Sequence, residues 1–150
     1  MKKYFIPAIL ATVFAGSAFA SPSNLQDYMA AHLSSQFKNA TNIHWKTTRD
    51  FTEADFTWEN QTLQAFYDED GNYLGTGRDV PIASLPLNAL KTLQDTYRDY
   101  AATSALQFQD SGDGVNYYVM LDNGKNKLVL NVTPSGYVTI FKKLPKTAKS

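Results

Sequence analysis

The chain has 150 residues, with 14 basic and 14 acidic side chains and no cysteine. The absence of cysteine excludes disulfides, thiol catalysis and cysteine-ligated zinc. The balanced charge argues against nucleic-acid binding, because that function calls for a basic surface.

The first twenty residues have the three parts of a secretory signal peptide. Lys2 and Lys3 form a basic start, residues 4–14 form a short apolar run, and residues 18–20 are a small-x-small cleavage motif. Cleavage after Ala20 leaves 130 residues, 12 of them basic and 14 acidic, which is enough for one domain with its own core. We therefore predict a periplasmic or secreted protein with no membrane span in the mature chain.

The first half of the mature chain is predicted to contain one helix and four strands. Helical spacing of apolar residues indicates a helix that begins at Ser23 and ends near Lys38-Asn39, with a buried stripe of Leu25, Tyr28, Met29, Leu33 and Phe37. Alternating patterns indicate strands at 42–48, 51–58, 62–68 and 72–76. The middle two are predicted to be joined across Asn60-Gln61.

The second half shows the same order of elements. Pro86 suits the first turn of a helix, which we predict to run to about Ala101. Four strands are then predicted, at 104–109, 115–122, 125–132 and 137–142.

The two halves align when Gly71 is placed on Gly136. Ala65 then falls on Leu130, and Ala54 falls near Tyr117. We interpret the pattern as an internal duplication, with repeats at about 23–80 and 84–144.

This order of elements predicts an α+β fold. The two helix-plus-four-strand repeats would form one antiparallel curved sheet with both helices on one face. Since each half alone would leave its sheet thinly covered, we predict a single domain over residues 21–144 and a frayed tail at 145–150.

Four short motifs mark the ends of the predicted helices and the strands between them. They are Ile43-His44-Trp45 after the first helix, the run from Leu63 to Gly71, Leu85-Pro86 at the second helix, and Tyr97 near its end. In these features the chain, from about Leu25 to Leu144, resembles the PepSY-like, β-lactamase-inhibitor-like family of secreted bacterial proteins. The resemblance implies a curved sheet with helices on the convex side and protein binding by the concave face. No binding-loop motif of a known inhibitor is present.

The sheet face away from the helices is the predicted binding surface. Interface centres are enriched in aromatic residues and methionine, with charges at the rim. We therefore predict four anchors and three rim residues on this face: Phe66, Tyr118, Met120 and Phe141 as anchors, and Lys46, Glu53 and Asp55 at the rim. The alternative is that some of the aromatics are core residues, because a slip of one residue moves every side chain to the other face.

Catalytic, metal and cofactor constellations do not emerge from the sequence. Residues 68–72 resemble part of a calcium loop but lack the later ligands, so we favour a hairpin turn. Glu53 and Asp55 could act as an acid–base pair only in principle. We predict a non-enzymatic protein without cofactors that binds or inhibits another secreted or periplasmic protein. The alternative is an envelope protein that binds a small ligand or a metal.

Overall fold

A computed structural model describes residues 23–145. The elements are α1 (Ser23–Gln36), β1 (Thr41–Thr47), β2 (Thr52–Trp58), β3 (Gln61–Tyr67), β4 (Tyr73–Val80), a 3-10 turn (Ile82–Ser84), α2 (Leu87–Thr96), β5 (Ala101–Asp110), β6 (Val115–Asp122), β7 (Lys127–Val132) and β8 (Val138–Leu144). The strands form one antiparallel sheet in the order β1 to β8, which confirms the predicted α+β class. The predicted signal peptide and residues 146–150 of the predicted tail lie outside the described residues.

Contacts between Cα atoms divide the chain into two compact units. Unit 1 extends to Arg78 and includes residues 109–113, while unit 2 contains residues 79–108 and those from Gly114 onward. The division falls close to the predicted repeat boundary. The duplication itself, and the folding of both halves as a single domain, stay predictions.

Helix α1 packs on the strands of unit 1 through one stripe. Met29 and Leu33 are fully buried against a cluster that includes Ala54 and Phe56. Tyr28 is 61% exposed, so its predicted place in this stripe is wrong. Neighbouring residues of a helix point about 100° apart, so Tyr28 points away from the strands when Met29 faces them. The buried stripe follows positions four residues apart, as Met29 and Leu33 show.

Helix α2 packs on unit 2 in the same manner but is shorter than predicted. It ends at Thr96 instead of Ala101, because Tyr97 leaves helical geometry at φ −112° and a turn follows. Tyr97 and Tyr100 still pack against the apolar cluster below α2. Their apolar spacing therefore continues the helical pattern beyond the helix itself.

The strand registers correct the proposed alignment of the two halves. Ala54 lies opposite Ala65 in unit 1, and Val119 lies opposite Leu130 in unit 2. Ala54 thus corresponds to Val119, two residues from the predicted Tyr117.

The β2–β3 connection is a two-residue turn at Glu59 and Asn60. Both residues have positive φ, 47° and 61°, as a type I′ hairpin turn requires. Trp58 pairs with Gln61, so the turn lies one residue before the predicted position.

Gly71 and Gly136 close the β3–β4 and β7–β8 turns. Their φ angles are +82° and +88°, and each donates its N–H to the carbonyl three residues earlier, at 3.0 and 2.9 Å. A Cβ on Gly71 would collide with the Leu25 side chain of α1. A Cβ on Gly136 would lie 2.8 Å from the Asn88 Cβ and 3.1 Å from the Ala89 backbone nitrogen of α2. Each helix therefore meets its hairpin where only glycine fits.

Alanine substitutions should separate close approach from backbone strain. Gly124 has a similar φ of +79° with no atom within 4 Å of a built Cβ, so Gly124→Ala should cost only about 1–2 kcal/mol of left-handed strain. Gly136→Ala should cost at least ~1 kcal/mol more, because fixed helix atoms must shift, and Gly71→Ala should fall between them. Urea unfolding of the three variants measures this order. Equal losses at all three positions would contradict the close helix contact.

Candidate functional site

In unit 1, the sheet face opposite α1 carries side chains in cross-strand rows, and we call it the mixed face. The inner row is Lys46, Glu53, Phe66 and Gly75, and the next row is His44, Asp55, Gln64 and Gly77. These registers place the predicted residues Lys46, Glu53, Asp55 and Phe66 on one face, as the alternation indicated.

The inner row is largely buried. Phe66 is fully buried, with its ring centroid 6.0 Å from that of Phe51, and Glu53 is only 3% exposed. Lys46 is exposed. The predicted exposure of Phe66 as an anchor and of Glu53 as a rim charge is therefore wrong. Alternation assigns a side chain to a face, but it does not show whether that face is covered.

In unit 2, the predicted anchors also lie mainly in the interior. Tyr118 is 1% exposed and Met120 is 6% exposed. The Tyr118 ring packs edge-to-face between Phe108 and Phe141, with centroid separations of 6.1 and 5.2 Å. Their predicted exposure is wrong, and the alternative, a place in the core, matches their burial. Any part that they have in binding stays a prediction.

Phe141 owes its half-buried position to a β-bulge. Val129 pairs with Lys142 and Leu130 pairs with Ile140, so Phe141 is the extra residue in β8. Bulges of this kind redirect a side chain at a sheet edge. Here the Phe141 ring meets Tyr118 while part of it stays exposed.

The accessible part of the unit 1 mixed face is therefore polar. Asp55 and Gln64 are half-buried and directly opposite each other on β2 and β3, and His44, on the other side of Asp55, is exposed. The Gln64 Oε1 atom is buried and has no hydrogen-bond partner. Leaving such an acceptor unsatisfied costs about 1–3 kcal/mol, so this group calls for an explanation.

The Asp68 carboxylate in the acidic β3–β4 loop is hydrogen-bonded within its own turn. The Asp68 Oδ1 atom accepts hydrogen bonds from the backbone N–H groups of Asp70 and Asn72 at 3.0 and 2.8 Å, and Oδ2 accepts one from the Asn72 amide at 3.0 Å. This agrees with the hairpin-turn interpretation. Within residues 23–145, no three His, Asp or Glu side chains are grouped as metal ligands would be.

Asp122, the last residue of β6, has a lowered pKa. The main cause is a hydrogen bond donated by the Gly124 backbone N–H at 2.7 Å, and Lys127, whose Nζ lies 3.4 Å from Asp122 Oδ2, adds to it. The carboxylate thus stabilises its own turn.

A second polar contact lies below α1, away from the mixed face. The His32 Nδ1 atom lies 3.2 Å from the Tyr67 hydroxyl. The His32 ring packs against the Tyr73 ring, with the two centroids 4.8 Å apart. Burial raises the pKa of Tyr67, with a further contribution from Tyr73. Burial also raises the pKa of Tyr73. No local pattern reveals this pair, because Tyr67 is 35 residues from His32.

Comparison with solved structures identifies the fold. The chain is similar to a BLIP-like protein of Bacteroides fragilis (TM-score 0.64, 18% identity, covering 88% of this chain and 93% of the other). It is also similar to a DUF2874 family protein of Bacteroides uniformis (TM-score 0.63, 16% identity, 83% and 89% covered) and to a protein of Bacteroides eggerthii described provisionally as periplasmic (TM-score 0.62, 15% identity, 84% and 89% covered). No protein-family model and no curated protein matches the chain. At these identities the likeness shows the fold alone.

None of the helices within residues 23–145 is both long and apolar enough to cross a membrane.

Burial predicts unequal effects for the two unit 2 aromatics. Tyr118→Ala should lower the free energy of unfolding by about 3–5 kcal/mol, the usual cost of emptying a buried aromatic site. Phe141→Ala should cost only ~1 kcal/mol, because the side chain is half-buried. Tyr137, which is 69% exposed, provides the matched control Tyr137→Ala. Urea unfolding would refute the core assignment if Tyr118→Ala were as stable as this control.

The buried tyrosines predict a loss of stability in alkali. The pKa of Tyr67 is raised in the folded state, so the fold favours the protonated hydroxyl. Its contribution to the free energy of unfolding is complete below the unfolded pKa of about 10. This contribution is lost as the pH rises beyond that value. Tyr67→Phe should therefore flatten the decline of unfolding free energy above about pH 10. Urea titrations across that range measure the decline, with Tyr137→Phe as the exposed control. Parallel curves for all three proteins would be inconsistent with this origin.

Proposed function

We propose that the chain is a non-enzymatic periplasmic protein that binds another protein through the mixed face of unit 1. The observation that carries the proposal is the polar row in which half-buried Asp55 faces half-buried Gln64, whose carbonyl oxygen is buried and has no hydrogen-bond partner. A partner that donates a hydrogen bond to this amide gains a bond without breaking one. Because the Gln64 side chain is only half-buried, we infer that its amide turns to present the carbonyl oxygen when such a donor arrives.

The predicted residues take revised roles in this proposal. Lys46 and Asp55 contact the partner directly, with His44 and Gln64 beside them. Glu53 and Phe66 are buried under the same face and hold the strands beneath the contact. Interfaces depend on such preorganised support, because ordering side chains on binding costs free energy.

The fold neighbours agree with this proposal. One is described as BLIP-like and another provisionally as periplasmic, and the PepSY-like resemblance and the predicted signal peptide point to the same class. Inhibition of the bound protein is the finer form of the proposal. A small-ligand or metal carrier is the competing function.

Photo-crosslinking tests which face meets the partner. A benzophenone amino acid at Thr62, exposed on the mixed face, should give a single protein adduct in the envelope of the source organism. The same group in place of Tyr28, exposed on α1, should give none. Adducts from position 28 alone, or from neither position, would contradict the proposal.

The role of the unsatisfied amide can be separated from stability. Gln64→Leu removes the unpartnered acceptor, so it should leave the free energy of unfolding unchanged or higher and yet reduce the adduct from position 62. Gln94→Leu on exposed helix α2 makes the same chemical change and should reduce nothing.

A further inference from the structure

We propose that the outer edge of β8 binds an acidic, extended segment of a protein partner as an added β-strand. This surface is distinct from the mixed face of unit 1 and goes beyond the function proposed above.

Positive and negative charges are segregated along the sequence. From residue 123 onward there are six lysines and no aspartate or glutamate, whereas residues 21–122 carry 14 acidic and 6 basic residues. Four of these lysines, at 125, 127, 142 and 143, lie between the β6–β7 turn and the end of β8, and all four are exposed. Lys127 is paired with Asp122, whereas no ion pair is found for the other three within residues 23–145. Exposed charge of one sign attracts a partner of the opposite sign.

Strand β8 is an edge strand of the described sheet. Strand β8 is last in the sheet order, and within residues 23–145 it pairs with β7. Its outer side therefore presents N–H and C=O groups that another strand can pair with. These groups favour a polypeptide over a lipid or a nucleic acid, because only a polypeptide completes a ladder of main-chain hydrogen bonds.

Two lysines lie on opposite faces of the sheet along the β8 edge. Lys142 lies opposite Val129, which pairs with Met120, whereas Lys143 lies opposite Leu128, which belongs to the cluster below α2. The two lysines therefore flank the edge on opposite faces of the sheet. An incoming strand alternates its own side chains in the same way, so acidic residues at successive positions can meet both lysines.

Apolar contact is available beside the charges. Ile140 is 47% exposed on the same strand, and Tyr137, just before it, is 69% exposed. A segment with carboxylates near Lys142 and Lys143 and a β-branched residue near Ile140 fits this edge.

Edge lysines also serve in many proteins only to prevent aggregation, and a peptide titration separates the two roles. The probe is a fluorescent peptide of about eight residues in which pairs of adjacent glutamates alternate with pairs of valines, so that both faces of the added strand carry carboxylates. Its binding to the mature chain is measured by anisotropy. It should bind, and raising NaCl from ~0.01 to ~0.15 M should weaken it, because the Debye length shortens from about 30 to about 8 Å. A lysine–valine peptide and an N-methylated glutamate–valine peptide should not bind.

Matched variants locate the site. The double variant Lys142→Gln/Lys143→Gln should weaken binding of the glutamate–valine peptide about tenfold, the size expected for two exposed ion pairs. Lys38→Gln/Lys91→Gln removes the same charge from exposed sites elsewhere and should change it less than about twofold.

Three results would overturn the proposal: no binding of the glutamate–valine peptide, equal binding of its N-methylated form, or equal weakening in both double variants. Self-association of the Lys142→Gln/Lys143→Gln variant without peptide binding by the unaltered chain would show that the lysines only guard the edge. Because Gln64 is unchanged in these proteins, failure here leaves the crosslinking result from Thr62 unaffected.

Discussion

The close approach of each helix to a glycine turn is the contact on which the rest of the structure depends. Gly71 lies against Leu25 of α1, and Gly136 lies against Asn88 of α2, in both cases with no room for a Cβ. This approach brings Met29 and Ala89 down onto the strands, where both are fully buried. Since the helix covers one side of the strands, the opposite side and the strand edges are the parts of the sheet that remain for contact with another molecule.

Strand alternation was sufficient to predict which side chains share a face. Lys46, Glu53 and Phe66 were expected together, and the strand registers place them together. Coverage of that face could not be predicted, because a period of two contains no information about what packs above it. The expected exposure of Phe66 and Tyr118 was therefore wrong, and their burial agrees with the core alternative. The end of α2 was missed for a related reason, since an apolar pattern continues wherever side chains reach the same core.

The candidate surfaces differ in how far the sequence reveals them. The clustering of lysine beyond residue 123 can be read from the sequence, but its meaning depends on β8 being an edge strand. The unsatisfied state of Gln64 could not be inferred at all, because a glutamine at an alternating position normally bonds to water or to a neighbour. Only the folded structure shows that this carbonyl oxygen is both buried and unpartnered. Long-range pairs such as His32 and Tyr67 are equally invisible, because no local pattern connects them.

The Glu59–Asn60 turn shows how much backbone strain the pairing of β2 with β3 tolerates. Glutamate is an uncommon residue at positive φ, yet Glu59 adopts 47°. Such strain persists only where the surrounding structure over-determines the conformation, so the pairing of β2 with β3 is sufficient to impose this turn on an unfavourable residue. One base change converts a glutamate codon into a glycine codon, and glycine adopts positive φ without the steric cost that glutamate bears there. The strain at Glu59 can thus be relieved in one mutational step, and the free energy of unfolding gained there would compensate for harmful substitutions elsewhere in unit 1.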